Sequence, residues 1–279
     1  MVQTKTSKLM NHGNPFRITV LSLLAFFTFL PFIVTLIISL KDIYQFTHQP
    51  FLPTLPFAFN NYAIAFRLVV SYILNSIIVS GSAVVMMTLI GVLSGYVFAR
   101  YDFPLKNALF FFFISLMMIP PVVSLVTRFV LVMDLGLRDS YLGMILPFVS
   151  GGQIIVVFVS RTFFQNIPAS LFESAKIDGA GDLGLLFRIA VPLSGAIIWT
   201  LAIINIMRTW NNILWPLVII NRVELMPVSI GLLHFRSQTQ ANTGAMMAGY
   251  IIASIPLLIV FFIASKQFIS GLTSGAIKM

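Results

Sequence analysis

Residues 167–181 read IPASLFESAKIDGAG, a short polar stretch between two long apolar runs. Its apolar residues alternate with charged ones, so it predicts an amphipathic helix that lies along a membrane surface or in a groove of a partner protein. Pro168 suits the first helical turn, and either Gly179 or Gly181 suits the C-terminal cap. The stretch and the apolar runs beside it predict an all-α membrane protein with a structured loop outside the bilayer.

The composition supports a membrane location. Hydrophobic residues make up 58% of the 279-residue chain, charged residues make up 9%, and the mean hydropathy is +0.99. A water-soluble domain could not hide so much apolar surface, and the length leaves no room for a separate soluble domain. The first apolar run, residues 18–40, is longer than a signal-peptide core and lacks a small-residue cleavage site, which predicts a retained first helix.

Runs long enough to cross a bilayer, about 20 residues each, predict six membrane-spanning helices. These spans cover residues 18–40, 69–99, 107–133, 141–163, 189–220 and 245–269. Proline and glycine interrupt several of them, at Pro31, Pro120, Pro121, Pro147, Gly151, Gly152, Pro216 and Pro256. Bilayer helices tolerate such residues where neighbouring helices or a water-filled cavity satisfy the freed backbone groups, so the pattern favours a bundle around a path.

The basic residues predict the orientation. With the N-terminus in the cytoplasm, ten of the 17 Lys and Arg residues fall in cytoplasmic segments, six fall in external segments, and Arg208 lies within the fifth span. Both termini are therefore expected in the cytoplasm. Because the basic residues are scattered singly, the net charge of +9 indicates topology and no nucleic-acid partner. The absence of Cys and the wide separation of the three His residues predict no metal site.

A set of residues in and after the polar stretch resembles a known motif. It comprises Glu173-Ser174-Ala175, Gly179, Ile189 and Val191-Pro192. Their spacing resembles the EAA loop of ABC importer permeases, with Ser174 and Val191 in place of the family's Ala and Leu. A loop of any multi-pass membrane protein could hold a Glu, an Ala and a Gly, but the spacing as far as Pro192 favours the family.

The resemblance implies that the loop at residues 165–188 carries a coupling helix, which sits in a cleft of a cytoplasmic ATPase. The residues that it assigns to coupling are Glu173, Ser174, Ala175, Asp178, Gly179, Ile189 and Pro192. It divides the chain into a cytoplasmic N-terminus (1–17), a transmembrane permease domain (18–269) and a cytoplasmic tail (270–279). In the tail, Gly271, Gly275 and Lys278 are expected to contact the ATPase.

Further motifs resemble the smaller subunit of the maltose-type carbohydrate permeases. They are Asn75-Ser76, Gly95-Tyr96 with Ala99-Arg100, Met118-Ile119-Pro120-Pro121, Leu135-Gly136-Leu137 with Tyr141-Leu142-Gly143, Ile177-Asp178-Gly179-Ala180, Trp210-Asn211-Asn212-Ile213-Leu214-Trp215-Pro216-Leu217, and the tail from Gly271 to Lys278. Each is weak alone, but their order is specific. The expected fold is the type I ABC importer permease fold, with six transmembrane helices and a cytoplasmic coupling helix.

The resemblance also implies the partners. It implies a multi-pass subunit of a bacterial cytoplasmic (inner) membrane that imports oligosaccharides with a second homologous permease, an ATPase homodimer and an extracytoplasmic solute-binding protein. The chain contains no P-loop, so ATP and Mg are expected on the ATPase subunits, and the chain itself is expected to hold no cofactor and to be no enzyme. The external loop at residues 221–244 resembles one that reaches the binding protein's sugar cleft.

Five residues are candidates for the substrate path: Asn75, Arg208, Trp210, Asn211 and Asn212. Aromatic faces stack on sugar rings and amides hydrogen-bond to hydroxyl groups. The alternative is that the neighbouring Trp215 marks the outer membrane interface and the Asn pair mends a helix break. An Arg inside a span costs about 2.5–3.5 kcal/mol on insertion scales, so Arg208 is expected to face a cavity, a partner or a substrate carboxylate. An acidic, uronate-containing oligosaccharide is therefore a hypothesis.

Two other classes of membrane protein fit the sequence less well. An ion-coupled secondary transporter usually has acidic residues inside its spans, whereas all eight acidic residues here fall in predicted loops. A membrane enzyme would need converging catalytic groups, and the sequence indicates none. The ion-coupled carrier is the alternative to the importer.

Overall fold

The computed structural model describes residues 15–238 and 242–276, with side chains as far as Ile263, and this part of the chain forms helices and no strand. The helices of the first half are α1 (Pro15–Ser39), α2 (Ile43–His48), α3 (Asn60–Arg100), α4 (Lys106–Ser115), α5 (Leu125–Asp134) and α6 (Tyr141–Gln165). Those of the second half are α7 (Ala169–Ile177), α8 (Asp182–Leu185), α9 (Val191–Leu193), α10 (Gly195–Trp210), α11 (Leu214–Ile219), α12 (Val228–Gln238) and α13 (Thr243–Ala276). The all-α prediction is confirmed.

Four of these helices, α1, α3, α6 and α13, are long and apolar enough to cross a membrane, and a bent pair could supply a fifth span. The six-span count therefore stays a prediction. Helix α3 has 41 residues, which corresponds to about 60 Å at 1.5 Å per residue, so it is about twice as long as a hydrocarbon core is thick. It starts nine residues before the predicted span at residues 69–99.

The predicted third span at residues 107–133 is not one helix. Helix α4 continues as one 3₁₀ turn, Leu116–Met118, and stops before Pro120 and Pro121; α5 begins only at Leu125. Neither proline has an N–H group to donate, so the helical ladder cannot continue through them. Turn hydrogen bonds such as Val123 N to Pro120 O fill part of the gap.

The predicted fifth span at residues 189–220 is also divided. The segment Asp182–Leu193, which contains one π-helical turn at Leu186–Ala190, meets α10 at an angle of 79°. Asn211 ends α10, and α11 starts at Leu214. A π-helical turn and a proline are ordinary causes of a sharp bend, and Pro192 lies two residues before the break at Ser194.

The described residues fall into two compact units. The larger one, which comprises residues 67–238 and the part of α13 from Ala253, contains two buried clusters. The first joins α3, α5, α6, α11 and α12: Val79, Ala83, Met87, Val132, Met144, Ile145, Val149, Trp215, Ile219, Ile220 and Ile230. The second joins α3, α6 and α7 to α10 and the segment before it: Val92, Tyr96, Val156, Phe164, Phe172, Leu185, Leu186, Ala190 and Leu201.

Small residues let α3 and α6 approach closely. A Cβ atom on Gly91 would lie 2.5 Å from Val156 Cβ, and one on Gly95 would lie 2.8 Å from Ser160 Cβ. This Gly-x-x-x-Gly spacing places both glycines on one face of α3, as in many membrane helix pairs. The contact fixes α3 beside α6 just before the polar stretch begins.

The smaller unit, residues 15–66 and 242–252, is organised around Lys41. Lys41 is 1% exposed, and its Nζ donates to Gln49 O, Leu52 O and Thr54 Oγ1. Asn61 donates to the carbonyls of Ser39 and Lys41, which ties the start of α3 to the end of α1. The Pro- and aromatic-rich loop after α1 is thus folded around one buried ammonium group.

Candidate functional site

The predicted amphipathic helix is α7, and its end has a specific cap. Gly179 has a φ of +85°, Ala180 N donates to Ala175 O, and Gly179 N donates to Lys176 O. These two bonds form a Schellman motif, which requires a left-handed residue at the position of Gly179. The prediction of a glycine cap is confirmed for Gly179, whereas Gly181 has extended backbone before α8. Pro168 occupies the N-cap, one position before the first helical residue.

One face of α7 is exposed and the opposite face is packed. Phe172 is 6% exposed and belongs to the second buried cluster, and Ala175 packs against it. Ile177 is 87% exposed. The predicted coupling residues Glu173, Ser174, Asp178 and Gly179 are all exposed. The helix therefore presents a mixed apolar and charged face that no other described residue covers.

The two predicted coupling residues farther along the chain lie before the bend. Ile189 is in the π-helical turn and packs against the second buried cluster. Pro192 is exposed in α9, two residues before the bend at Ser194. Both lie in the segment that follows α7, outside the helix itself.

Arg100, the last residue of α3, holds α7 against the bundle. Its guanidinium carbon lies 3.9 Å from the centroid of the Phe172 ring. Its Nη2 also donates to Phe164 O and Ile167 O at the end of α6, over 2.6 and 2.5 Å. The sequence reasoning missed this role, although the Ala99-Arg100 pair stood among the family motifs.

Tyr96 and Tyr101 line two cavities at the same end of α3. One, of about 380 Å³, is mostly apolar and reaches Leu183. The other, of about 350 Å³, borders α7 and includes Arg100, Glu173 and Lys176 in its lining. Burial, followed by a hydrogen bond to the Asp182 carboxylate and the charge of that carboxylate, raises the pKa of Tyr101 to about 12. Tyr101 is therefore a neutral donor at physiological pH.

The predicted substrate residues form a separate region, at the break between α10 and α11. Asn211 Nδ2 donates to Met207 O, and Asn212 Oδ1 accepts from Trp215 N. The first bond closes the end of α10, and the second caps the start of α11. The interpretation that the Asn pair mends a helix break therefore has support in the geometry.

The aromatic residues at this break are packed inside the chain. Trp210 is buried, and the buried Trp215 donates from Nε1 to Gly143 O. Arg208 lies in the last turn of α10 and is exposed, with no ion pair to another described residue. Among the candidates on this segment, Arg208 and Asn211 are the exposed ones.

Asn75 does not join that group, because its amide is already in use. Its Nδ2 donates to Glu224 O and Met226 O, and its Oδ1 accepts from the Tyr141 hydroxyl. Ser76 Oγ accepts from Val228 N. Asn75 and Ser76 thus hold the start of the predicted external loop, and neither N–H of the Asn75 amide is left for a ligand.

Asp139 holds the same loop from its other side. Its Oδ1 accepts from the backbone N–H groups of Asn221 and Arg222. These bonds, Asn221 first, lower the pKa of the Asp139 carboxyl. The loop that follows α11 is therefore a positioned segment.

Part of the predicted tail is described only as backbone. Gly271 and Gly275 lie within the helical span of α13, and Lys278 lies outside the described residues. Their predicted contact with an ATPase stays a prediction.

The chain is similar to known transport proteins. Residues 87–273, about two thirds of the chain, match the family "Binding-protein-dependent transport system inner membrane component". The arabinooligosaccharides transport system permease protein AraQ of Bacillus subtilis (strain 168) is 34% identical over 222 residues, which cover 80% of this chain and 77% of that one. The melibiose/raffinose/stachyose import permease protein MelC of the same organism is 30% identical over 254 residues, covering 90% and 91% of the two chains.

A solved structure shares the fold. A chain from the crystal structure of a bacterial ABC transporter involved in the import of the acidic polysaccharide alginate superposes with a TM-score of 0.78. The match covers 96% of this chain and 99% of that chain, at 21% identity. The family match, the two relatives and the apolar helices agree, and the chain belongs to the binding-protein-dependent transport system inner membrane components, a family of multi-pass membrane proteins.

Proposed function

We propose that the chain is a permease subunit of an ATP-driven importer of oligosaccharides, in which α7 is the coupling helix that seats on an ATPase subunit. The observation that carries the proposal is the structure of α7. It is a rigidly capped helix, anchored by Phe172, with Glu173 and Ile177 on its uncovered side. Leu171 and Ile177 are both exposed on this short helix, which lies outside the long apolar helices, and more than one exposed apolar side chain among polar ones favours a surface that a partner covers.

The proposed mechanism uses α7 as a lever. ATP binding draws two ATPase subunits together, and each moves the coupling helix that it holds. Because the Schellman motif closes the end of α7, the helix moves as one body and does not unwind. The second homologous permease contributes the other half of the path, and the membrane helices then turn the path outward toward a binding protein.

The broken helices support a path inside the bundle. The backbone around Pro120 and Pro121 and at Asn211–Asn212 has no continuous helical ladder. Polar backbone groups of this kind are not tolerated against lipid, so these breaks face protein or a water-filled cavity. Met118, beside the first break, is 83% exposed within this chain, which leaves it available for a partner permease.

Oligosaccharides are proposed as substrates because the relatives AraQ and MelC are named for arabinooligosaccharides and for melibiose, raffinose and stachyose. The finer proposal of an acidic, uronate-containing sugar rests on Arg208 alone. Replacing Arg208 with Met should reduce uptake of acidic oligosaccharides more than uptake of neutral ones. Equal effects on both would remove this part of the proposal.

The ion-coupled carrier has less support. The eight acidic residues are all described, and none lies in the interior of a long apolar helix. A proton or sodium carrier commonly needs such a group in its path.

ATP hydrolysis by the complex that co-purifies with this chain tests the proposal. The complex is reconstituted in lipid and assayed with and without binding protein and with a panel of neutral and acidic oligosaccharides. We expect stimulated hydrolysis that Glu173→Ala greatly reduces. Lys106→Ala, which removes a salt bridge from the half-buried Lys106 to the fully exposed Asp102, is the control and should leave hydrolysis near that of the wild type. Absence of an ATPase from the complex would refute the importer.

A further inference from the structure

We propose that Arg100 is the positioning residue that connects α7 to membrane helix α3, so that movement of α7 reaches α3 through its guanidinium group. This inference rests on the proposed function, because it assumes that α7 is the element moved by an ATPase. It adds a residue on which transmission of that movement depends.

The first contact is between Arg100 and α7. Phe172 is the buried side chain of α7, and its ring contacts two side chains from the last turns of α3. The centroid of the Tyr96 ring is 6.3 Å from that of Phe172, and the Arg100 guanidinium carbon is 3.9 Å from it. A cation over an aromatic face is attracted by the ring quadrupole, most strongly where water is excluded.

The second contact fixes Arg100 itself. Its Nη2 donates to Phe164 O and Ile167 O, carbonyl groups at the end of α6 and in the connection to α7. A positive charge at the carboxyl end of a helix is favourable, and bonds from a charged donor are stronger than neutral ones. Arg100 therefore joins the ends of α3, α6 and α7 with one planar group.

Arg100 is one of several contacts between α7 and the bundle. The cavity of about 350 Å³ lies beside it, lined in part by Tyr96, Glu173 and Lys176, and Phe172 also packs in the second buried cluster. Of the two α3 side chains that contact the Phe172 ring, Arg100 is the one that also hydrogen-bonds to carbonyl groups at the end of α6, so its loss should weaken the connection most.

A similar pair elsewhere in the bundle supplies a control. The Arg161 guanidinium carbon lies 3.8 Å from the centroid of the Phe110 ring, and Arg161 Nε donates to Phe98 O over 3.4 Å. It thus combines the same two kinds of contact without touching α7. Arg161→Met should cost the bundle similar packing and leave coupling unchanged.

The experiment measures oligosaccharide transported per ATP hydrolysed by the reconstituted complex with its binding protein. We expect Arg100→Met to keep ATP hydrolysis but to lower this ratio about fivefold, the factor expected from losing a partly desolvated cation–π contact. Arg100→Lys should restore little, because an ammonium group cannot stack on the ring and reach both carbonyls. Phe172→Tyr keeps an aromatic ring and should keep the ratio of sugar transported to ATP hydrolysed, whereas Phe172→Leu should lower it. The double variant, Phe172→Leu with Arg100→Met, should show no further loss.

Failure of the inference and failure of the proposed function give different results. If Glu173→Ala leaves stimulated hydrolysis intact, or no ATPase co-purifies, the proposed function fails and the inference with it. If Glu173→Ala reduces hydrolysis but Arg100→Met and Arg161→Met give the same ratio, only the inference is overturned. Should Arg100→Met prevent assembly, the Phe172→Tyr and Phe172→Leu pair decides: equal ratios would overturn the inference.

Discussion

Replacing Gly179 with Ala should loosen the end of α7 without any steric clash. Gly179 has a φ of +85°, and nothing lies within 4 Å of an added Cβ, so the cost is purely conformational. A non-glycine residue in this region costs about 1–2 kcal/mol. That free energy corresponds to about a tenfold rise in the population in which the last turn of α7 is open.

Hydrogen exchange and ATP hydrolysis measure this effect together. The amides of residue 179 and Ala180 donate the two bonds of the Schellman motif, so both should exchange about tenfold faster in Gly179→Ala. Stimulated hydrolysis should fall, because a frayed α7 seats less firmly on the ATPase subunit that it is proposed to contact. Gly181→Ala is the matched control, since an added Cβ on Gly181 also meets nothing within 4 Å but the backbone there is extended. Equal exchange in the two variants would refute the reasoning.

Three further predictions concern the bundle and the external loop. Gly95→Val should destabilise the protein by about 1–3 kcal/mol, because its Cβ would lie 2.8 Å from Ser160 Cβ. Gly81→Ala, whose added Cβ meets open space, should be neutral or stabilising, and thermal unfolding in detergent compares the two variants. Trp215→Phe should cost about 1 kcal/mol, since it leaves a buried carbonyl of α6 without its donor, and the same unfolding assay detects it. The pKa of the Asp139 carboxyl is lowered in the folded state. The ionised carboxylate therefore contributes its full stabilisation above the pKa of the unfolded state, about 3.9, and this stabilisation disappears as the pH falls through the pKa of the folded state. Asp139→Asn should therefore be less stable than the wild type at neutral pH, and the difference should shrink in acid; a constant difference would contradict this assignment.

The local features of the chain were predictable from sequence. The predicted spans at residues 18–40 and 141–163 correspond closely to α1 and α6, because a long apolar run needs only helix formation to cross a bilayer. The helix at α7 and its Gly179 cap were also predicted, since a cap depends on a few neighbouring residues.

Features that depend on distant residues were not predictable. Hydropathy averages over a window, so the predicted spans at residues 107–133 and 189–220 ran through breaks that proline and asparagine make in the backbone. Asn75 was expected to contact substrate, but its amide donates to a carbonyl 149 positions away, which no local pattern indicates. The stack of Arg100 on Phe172 likewise joins two motifs that the sequence presents separately.

Cross-linking from α7 tests the central claim most directly. The chain contains no cysteine, so Ser174→Cys creates one attachment point on the exposed face of α7, and Ser237→Cys creates an equally exposed one on α12 as the control. Each variant, in the assembled complex, is labelled with a short photoactivatable cross-linker, and the partner is identified by mass spectrometry. The account predicts an adduct between residue 174 and an ATPase subunit, and no such adduct from residue 237. An ATPase adduct from residue 237 instead, or lipid as the sole partner of residue 174, would contradict it.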